Sequence, residues 1–307
     1  MTRVHLAIPT HTPRHLDLCL ASLAGQTAPP ASVTLSTDGD VPAITALVEY
    51  LWPRVTSALS ARGLSAPVFV YTRRAHTGAA RLNQVRNNAL RAADAAGLLR
   101  DDDLIVILDG DTALAPGTID AHERARSQGA DVVLPWRVNL SESFTGTLTP
   151  DRVMNDPALF LEPLAAAQDE LHTRQSRLER QSRLRGVPLL SKPHKPKLLG
   201  GHNGVRVGLL REVDGFDERF VGYGYDDDDL ARRLYRRRPR AKIAVRVVEA
   251  PAFHCWHPTR ATPRPTEASG YATFRMPWGV RSVVGWSASP EQPARVTTLI
   301  PPSAGGR

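Results

Sequence analysis

The sequence predicts an α/β protein whose mixed, largely parallel sheet is flanked by helices. Two observations carry this. Short apolar runs, "VHLAIPT", "SVTLST", "VFVYT", "LIVIL" and "ADVVLP", recur within residues 1–136, and segments of helical periodicity separate the first four. Strands that alternate with helices form parallel sheets covered on both faces. Ligands on such sheets bind beyond the carboxyl ends of strands, so polar residues at those ends are the first candidates for chemistry.

The elements follow in order. After the strand "VHLAIPT", Thr12 and Pro13 offer cap and first-turn chemistry for a helix. Leu16, Cys19, Leu20 and Leu23 mark its apolar face, and Gly25 lies near its end. "SVTLST" runs into Asp38-Gly39-Asp40. Ile44, Leu47, Val48, Leu51, Val55 and Leu59 then repeat at helical spacing, with Pro53 expected to break or kink that helix. "VFVYT" is the third strand, and "AARLNQVRNNALRAADAAG" a helix with Leu82, Val85, Ala89 and Ala93 inward. "LIVIL" is the fourth strand, ending in Asp109-Gly110-Asp111, and "ADVVLP" the fifth.

The pattern changes over residues 137–197, a helical and basic excursion from one domain. "EPLAAAQDELHTRQSRLERQSRLR" reads as one long helix with Leu164, Leu171 and Leu178 on a narrow stripe and arginines elsewhere. A solvated helix packed on the domain explains it; a lid, or an acceptor platform making peripheral contact with a membrane, is the functional alternative. "KPHKPK" reads as a flexible basic loop. Residues 198–258 return to globular composition. Residues 259–307 form a Pro/Arg-rich tail, expected to wrap the surface or lack order in part.

Composition bounds the rest. With 307 residues the chain holds one large domain or two small ones, and 42% hydrophobic with 23% charged residues is ordinary for a packed core. The net charge of +8 and pI near 10.0 favour anionic partners. No aromatic-basic motif accompanies that charge, so no nucleic acid is expected. Cys19 and Cys255 form no Cys-x-x-Cys pair, which argues against a disulfide framework or a cysteine zinc site. "MTRVHLAIPTH" is too short an apolar run for a signal peptide and no long apolar segment follows, so a cytoplasmic protein is expected.

Asp109 and Asp111 stand at positions i and i+2, nominally on one side of the chain, with Gly110 free to turn and to bring backbone close to a ligand. Two adjacent carboxylates repel and favour a cation. A hard divalent ion shared with phosphate oxygens, Mn²⁺ or Mg²⁺, suits them.

At these residues the sequence resembles the inverting family 2 glycosyltransferases, nucleotide-sugar enzymes of the GT-A, Rossmann-like fold. "IPTHTPRHLDLCLASLAGQT", "STDGD", "ARLNQVRNNAL" and "ILDGDT" fall in the family's order. "GGHNGVRVGLLREVDGFDERFVGYGYDDDDLARRL" resembles the carboxyl-terminal module shared with galactosyltransferases. The resemblance covers roughly residues 3–258, without the excursion. It implies a nucleotide-sugar half in 1–136 and an acceptor and catalytic half in 198–258. The reaction implied is metal-dependent hexosyl transfer from a nucleoside-diphosphate sugar, a UDP-sugar favoured, to a glycan, lipid-linked or small-molecule acceptor.

By that resemblance Pro9, Thr10, His11, Asp38, Arg81, Arg86, Asp109 and Gly110 belong to the nucleotide site, and Asp109 contacts the ribose or the metal. Asp111 ligates the metal, His257 completes its coordination, and His254 can also supply a ligand; carboxylate with neutral imidazole favours Mn²⁺ over Mg²⁺. Gly201, Asn203, Tyr223 and Gly224 fall to the acceptor and sugar. The family's Gly-Trp-Gly-Gly-Glu-Asp is here Gly222-Tyr223-Gly224-Tyr225-Asp226-Asp227. Tyr223 keeps a ring for stacking on a sugar, and Tyr225 is expected to narrow the acceptor side. Thr37 stands where the family often has a further aspartate. Asp226 to Asp229 are more carboxylates than a helix start requires. Asp227 is assigned as the base that deprotonates the acceptor hydroxyl, with Asp226 binding acceptor or sharing the load.

Two rivals remain. An Asp-x-Asp phosphatase would carry its pair after the first strand, with Thr or Val two residues beyond the second Asp; here it follows the fourth, and Ala113 stands there. A catalytically inactive nucleotide-sugar-binding protein is opposed by the intact set Asp111, Asp227 and His257.

Overall fold

The computed structural model describes residues 2–74, 78–156, 158–187, 189–258 and 264–288, and the backbone of 294–300. The first four predicted strands are β1 (Val4–Thr10), β2 (Ser32–Asp38), β3 (Val68–Arg74) and β4 (Leu104–Leu108). The later strands are β5 (Thr112–Leu114), β6 (Val132–Leu134), β7 (Trp136–Asn139), β8 (His202–Arg206), β9 (Ile243–Val245), β10 (Pro251–His254) and β11 (Ala294–Ile300). The helices are α1 (Leu16–Ala21), α2 (Pro42–Ala61), α3 (Leu82–Ala95), α4 (Thr118–Ser127), α5 (Glu142–Thr145), α6 (Pro150–Asn155), α7 (Leu161–Ala166), α8 (Gln168–Arg183), α9 (Val207–Val213), α10 (Asp226–Arg236) and α11 (Tyr271–Arg275).

The main sheet runs in the order β11-β3-β2-β1-β4-β8-β6-β9, and a small sheet in the order β5-β10-β7. β1 to β4 are mutually parallel, while β8 runs antiparallel to both β4 and β6, and β11 antiparallel to β3. The sheet is therefore mixed and largely parallel on its first half, as the sequence predicts. Successive strand side chains face opposite sides, and the two cores obey this. Leu6, Ile8, Leu104, Val106 and Leu108 pack with Leu16, Leu51 and Trp52. Ala7, Ile105 and Ile107 join Ala89, Val205 and Leu230 on the other face.

Three local expectations are corrected. The first helix does not open at Thr12 and Pro13: the Thr12 hydroxyl accepts from the Arg14 amide at 3.2 Å and the Thr12 carbonyl accepts from the Thr10 hydroxyl at 2.9 Å. These local bonds hold a turn instead, and α1 begins after His15, at φ 60°. Pro53 does not interrupt α2. A proline costs about 3 kcal/mol inside a helix; burial of Trp52, Val55 and Leu59, each worth about 1.5–3 kcal/mol, outweighs it. The long basic helix is two helices, α7 and α8, parted at Ala167, whose amide is shared between the Pro163 and Leu164 carbonyls. Leu171 and Leu178 are buried and Leu164 packs against the core, so α8 lies on the domain by its predicted stripe.

In the tail, Ser282, Gly285 and Trp286 pack against the turn at Asp214, and β11 adds a strand at the outer edge. Residues 259–263, 289–293 and 301–307 of the predicted tail lie outside the described residues. Among the described residues no helix is long and apolar enough to cross a membrane.

Candidate active site

The parallel strands deliver their carboxyl ends to one edge: Thr10 of β1, Asp38 of β2, and Asp109 after β4. Because β8 is antiparallel to β4, with Leu108 opposite His202, its start reaches the same edge. Gly201 thus meets Asp109, whose amide donates to the Gly201 carbonyl at 3.0 Å. A side chain at Gly201 would collide with the Asp109 carboxylate, and one at Gly200 with the carboxylate of Asp227. The two glycines admit two carboxylates against backbone.

The second sheet supplies the histidines. β10 pairs with β5 so that His254 opposes Thr112, and the Cys255 amide donates to the Asp111 carbonyl at 2.9 Å. This brings His254 Nε2 to 3.5 Å and His257 Nε2 to 3.2 Å from Asp111 Oδ2. One donor atom from each of the three residues falls within 4.8 Å of the others. His257 Nδ1 faces the Pro258 carbonyl at 3.2 Å. A proton on Nδ1 would donate there and leave the lone pair of Nε2 facing the carboxylate. Two such acceptors in contact call for a proton or a cation between them, so the donor set fits a divalent metal of the Mn²⁺ type. Burial opposes ionisation of Asp111, yet the hydrogen bond and charge of His254, then Arg137 and His257, hold its carboxyl at about 2.

Across from this triad sits the acid pair. Arg86 Nη1 donates to Asp226 Oδ2 at 2.5 Å and lies 3.4 Å from Asp227 Oδ1. Arg86 is buried, with its guanidinium 4.9 Å from the Phe216 ring centroid. Burial pushes the Asp227 carboxyl up to about 7, the charge of Asp226 adds to the rise, and Arg86 opposes it. Asp109 lies between the two groups, 3.9 Å from Arg137, and is raised first by burial, against the charge of Arg86.

Other predicted site residues take different parts. Pro9 and Thr10 are buried at the end of β1, and His11 is exposed beside them. Gly110 faces Thr10, where an added Cβ would meet the Thr10 side chain at 3.0 Å; its smallness serves this packing, and its backbone is not left-handed. Asp38 is bonded to Arg74 and accepts from the Arg81 amide at 3.2 Å, which anchors the start of α3. Arg86 is engaged by the acid pair and does not stand open for a diphosphate. Asn203 is fully buried and donates to the Leu199 carbonyl at 2.8 Å, so it braces the glycine loop and is out of reach of an acceptor.

Gly222 and Gly224 adopt φ of 81° and 95°, conformations that favour glycine. Ser269 holds the loop between them through the Tyr223 amide at 2.7 Å, leaving the Tyr223 ring exposed. Tyr225 stands at φ 67°, and its ring packs 4.9 Å from Phe274 and 5.6 Å from Tyr271. Asp229 is buried, its oxygens taken by Arg232 at 2.6 Å and Arg233 at 2.8 Å. The residues that sequence reasoning missed are Gly200 and Arg137. The doubled glycine of "LLGGHNG" was a signal for the first; Arg137, at the start of the excursion, had none.

The phosphatase reading does not survive this geometry. The Asp-Gly-Asp follows the fourth strand, with Asp109 packed on Gly201 and Asp111 directed at two histidines.

Residues 189–251 match the model of a family described as the N-terminal domain of galactosyltransferase. No curated protein matches the chain. Among solved structures it resembles S. aureus TarS at 14% identity, over 83% of this chain and 37% of that one, with a TM-score of 0.49. S. aureus TarS 1-349 in complex with UDP-GlcNAc is similar at 14% identity, over 87% and 61%, with a TM-score of 0.47. GalNAc-T7 with UDP, GalNAc and Mn²⁺ is similar at 12% identity, over 84% and 44%, with a TM-score of 0.46. The chain spans only 37% to 61% of the length of these three. The segment that carries Gly200, Gly201 and the acidic run is thus similar to a galactosyltransferase domain.

Proposed function

We propose that the protein is a metal-dependent inverting glycosyltransferase, moving a sugar from a nucleoside-diphosphate sugar to an acceptor hydroxyl. The observation that carries this reading is a metal-type triad and a raised carboxylate facing one strand edge, with Asp109 between them. The galactosyltransferase match over residues 189–251 supports it, because the acid pair and both glycines lie inside that segment.

Asp111, His254 and His257 would hold the ion, which when bound neutralises charge on the leaving diphosphate. Asp227 takes the proton of the acceptor hydroxyl. A carboxylate near 7 accepts a proton far better than an ordinary one near 4. A quarter of its side-chain surface (25%) reaches solvent, the side from which an acceptor arrives. Arg86 donates to Asp226 beside it, and the like charge of Asp226 adds to the rise of Asp227. The hydroxyl oxygen attacks the anomeric carbon as the bond to the diphosphate breaks, and attack from the opposite face inverts the centre. No covalent enzyme intermediate is required.

Nucleotide-sugar binding measured with and without Mn²⁺ tests this. Metal-linked, saturable binding in the parent is expected, lost in Asp111→Asn with the melting temperature retained. Unchanged affinity and metal response in that variant would remove the triad from the site. Binding without turnover, across a panel of donors and acceptors, would favour the inactive sugar-binding reading.

A further inference from the structure

Beyond the active edge, the opposite end of α10 borders a cavity of about 340 Å³ lined by Arg185, Lys192, Arg236, Arg238, Arg240 and Tyr235, with Trp278 on its wall. None of these five cations has a carboxylate within salt-bridge reach among the described residues. Arg232, which also lines the cavity, shares Asp229 with Arg233, and Arg237 beside them pairs with Glu212. Asp131 acts on Arg185 and Asp228 on Tyr235 from beyond salt-bridge reach, but the five cations outnumber them, and like charges so gathered favour an anion.

Two residues of the lining also carry buried donor atoms. Tyr235 is 5% exposed, and its hydroxyl has no hydrogen-bond partner among the described residues. Arg185 donates through Nη2 to the Ala241 carbonyl at 2.6 Å, while its Nη1 is buried without a partner. Burial pulls the Arg185 pKa down, and the charges of Arg240 and Arg238 pull with it against Tyr235. The wall is also shaped for these cations. Gly186 stands at φ 80°, and a Cβ there would lie 2.8 Å from Arg240 Nη2.

We propose that this cavity is a binding site for a phosphate group, separate from the candidate active site. Planar guanidinium forks match the oxygens of a tetrahedral oxyanion, and several cations together suit its double charge. Nine residues of helix part Asp227 from Arg236, about 14 Å at 1.5 Å per residue. On the near side of the cavity Arg232 is engaged by Asp229, which stands between it and the acid pair along the helix.

The test titrates the metal-free protein with inorganic phosphate at constant ionic strength, with chloride as reference. Saturable binding is expected. Arg238→Gln combined with Arg240→Gln, both exposed positions, should weaken it by about tenfold or more. Tyr235→Phe should weaken it by a smaller factor while the melting temperature in chloride is kept. Asp111→Asn should bind phosphate like the parent, which separates this site from the triad. A parallel flotation arm uses phosphatidylcholine vesicles with and without phosphatidylglycerol. Flotation that depends on Arg238 and Arg240 assigns the phosphate to a lipid headgroup; phosphate binding without flotation assigns it to a soluble phosphoester. Equal phosphate affinity in the parent and the double variant, or phosphate acting as chloride does, overturns the site.

Discussion

Along the first turn of α10 the acidic run divides between two environments. Asp226 and Asp227 look across Gly200 toward Arg86 and Asp109, part of their surface open to solvent. Asp229 is sealed two residues further on, and both its oxygens are spent on Arg232 and Arg233. Arg233 in turn donates to the carbonyls of Val213 and Gly215, so this carboxylate ties α10 to the turn after α9. Neighbouring carboxylates of one chemical type thus hold a carboxyl raised to about 7 and a structural anchor. The difference lies in what packs against them.

The largest effect should come from the anchor. Breaking a buried ion pair on one side leaves an uncompensated charge and costs about 3–5 kcal/mol, so Asp229→Ala should lose that much stability in denaturant unfolding. A loss under about 1 kcal/mol, the size of an ordinary cap effect, would return Asp229 to a capping role. Asp227→Asn comes next and should act on rate: transfer falls by roughly a hundredfold or more, while nucleotide and metal binding stay near parental. Near-parental transfer would shift the base to Asp226.

The same residue fixes two pH dependences. In the proposed reaction transfer needs ionised Asp227, so its rate should climb as pH rises through about 7. Stability runs the other way. The folded carboxyl titrates above its unfolded value, so its contribution is complete below about 4 and is lost as pH rises toward 7. At pH 8 Asp227→Asn should therefore melt at or above the parental temperature, whereas Asp229→Asn should melt below it. A parental rate profile flat from pH 5 to 8 would detach the raised carboxyl from turnover.

A smaller effect separates the histidines. His257→Ala should weaken Mn²⁺ binding by about tenfold and more than His254→Ala, because His257 stands nearer Asp111 and its other nitrogen is anchored at Pro258. Equal titrations for both variants would remove that distinction. The smallest concerns Tyr225: Tyr225→Gly relieves a left-handed backbone but gives up packing on Tyr271 and Phe274. A net change within about 1 kcal/mol is expected.

What the sequence revealed follows from the range of the interactions involved. β1 to β4 and their helices were legible because their apolar residues keep the period of each element over several residues. β5, β7 and β10 have three or four residues each, too few to show a period, and β8 reads "HNGVR" because a buried strand there carries a histidine and an asparagine. In the site, Asp109, Asp111 and the acidic run announced themselves by clustered charge. Arg86 is a charged position on a helix, yet it is buried because its partners lie 140 residues on. No local pattern encodes that.

The paired glycines beneath the carboxylates also set how this protein tolerates change. Most positions around the edge could drift, since a swapped side chain has solvent or a flexible neighbour to move into. At positions 200 and 201 the obstacle is a carboxylate lying directly where the first side-chain atom would grow. Even alanine, the smallest replacement, would displace Asp227 at one position or Asp109 at the other. In a library randomised across the whole edge and selected for turnover, survivors should keep glycine at both positions.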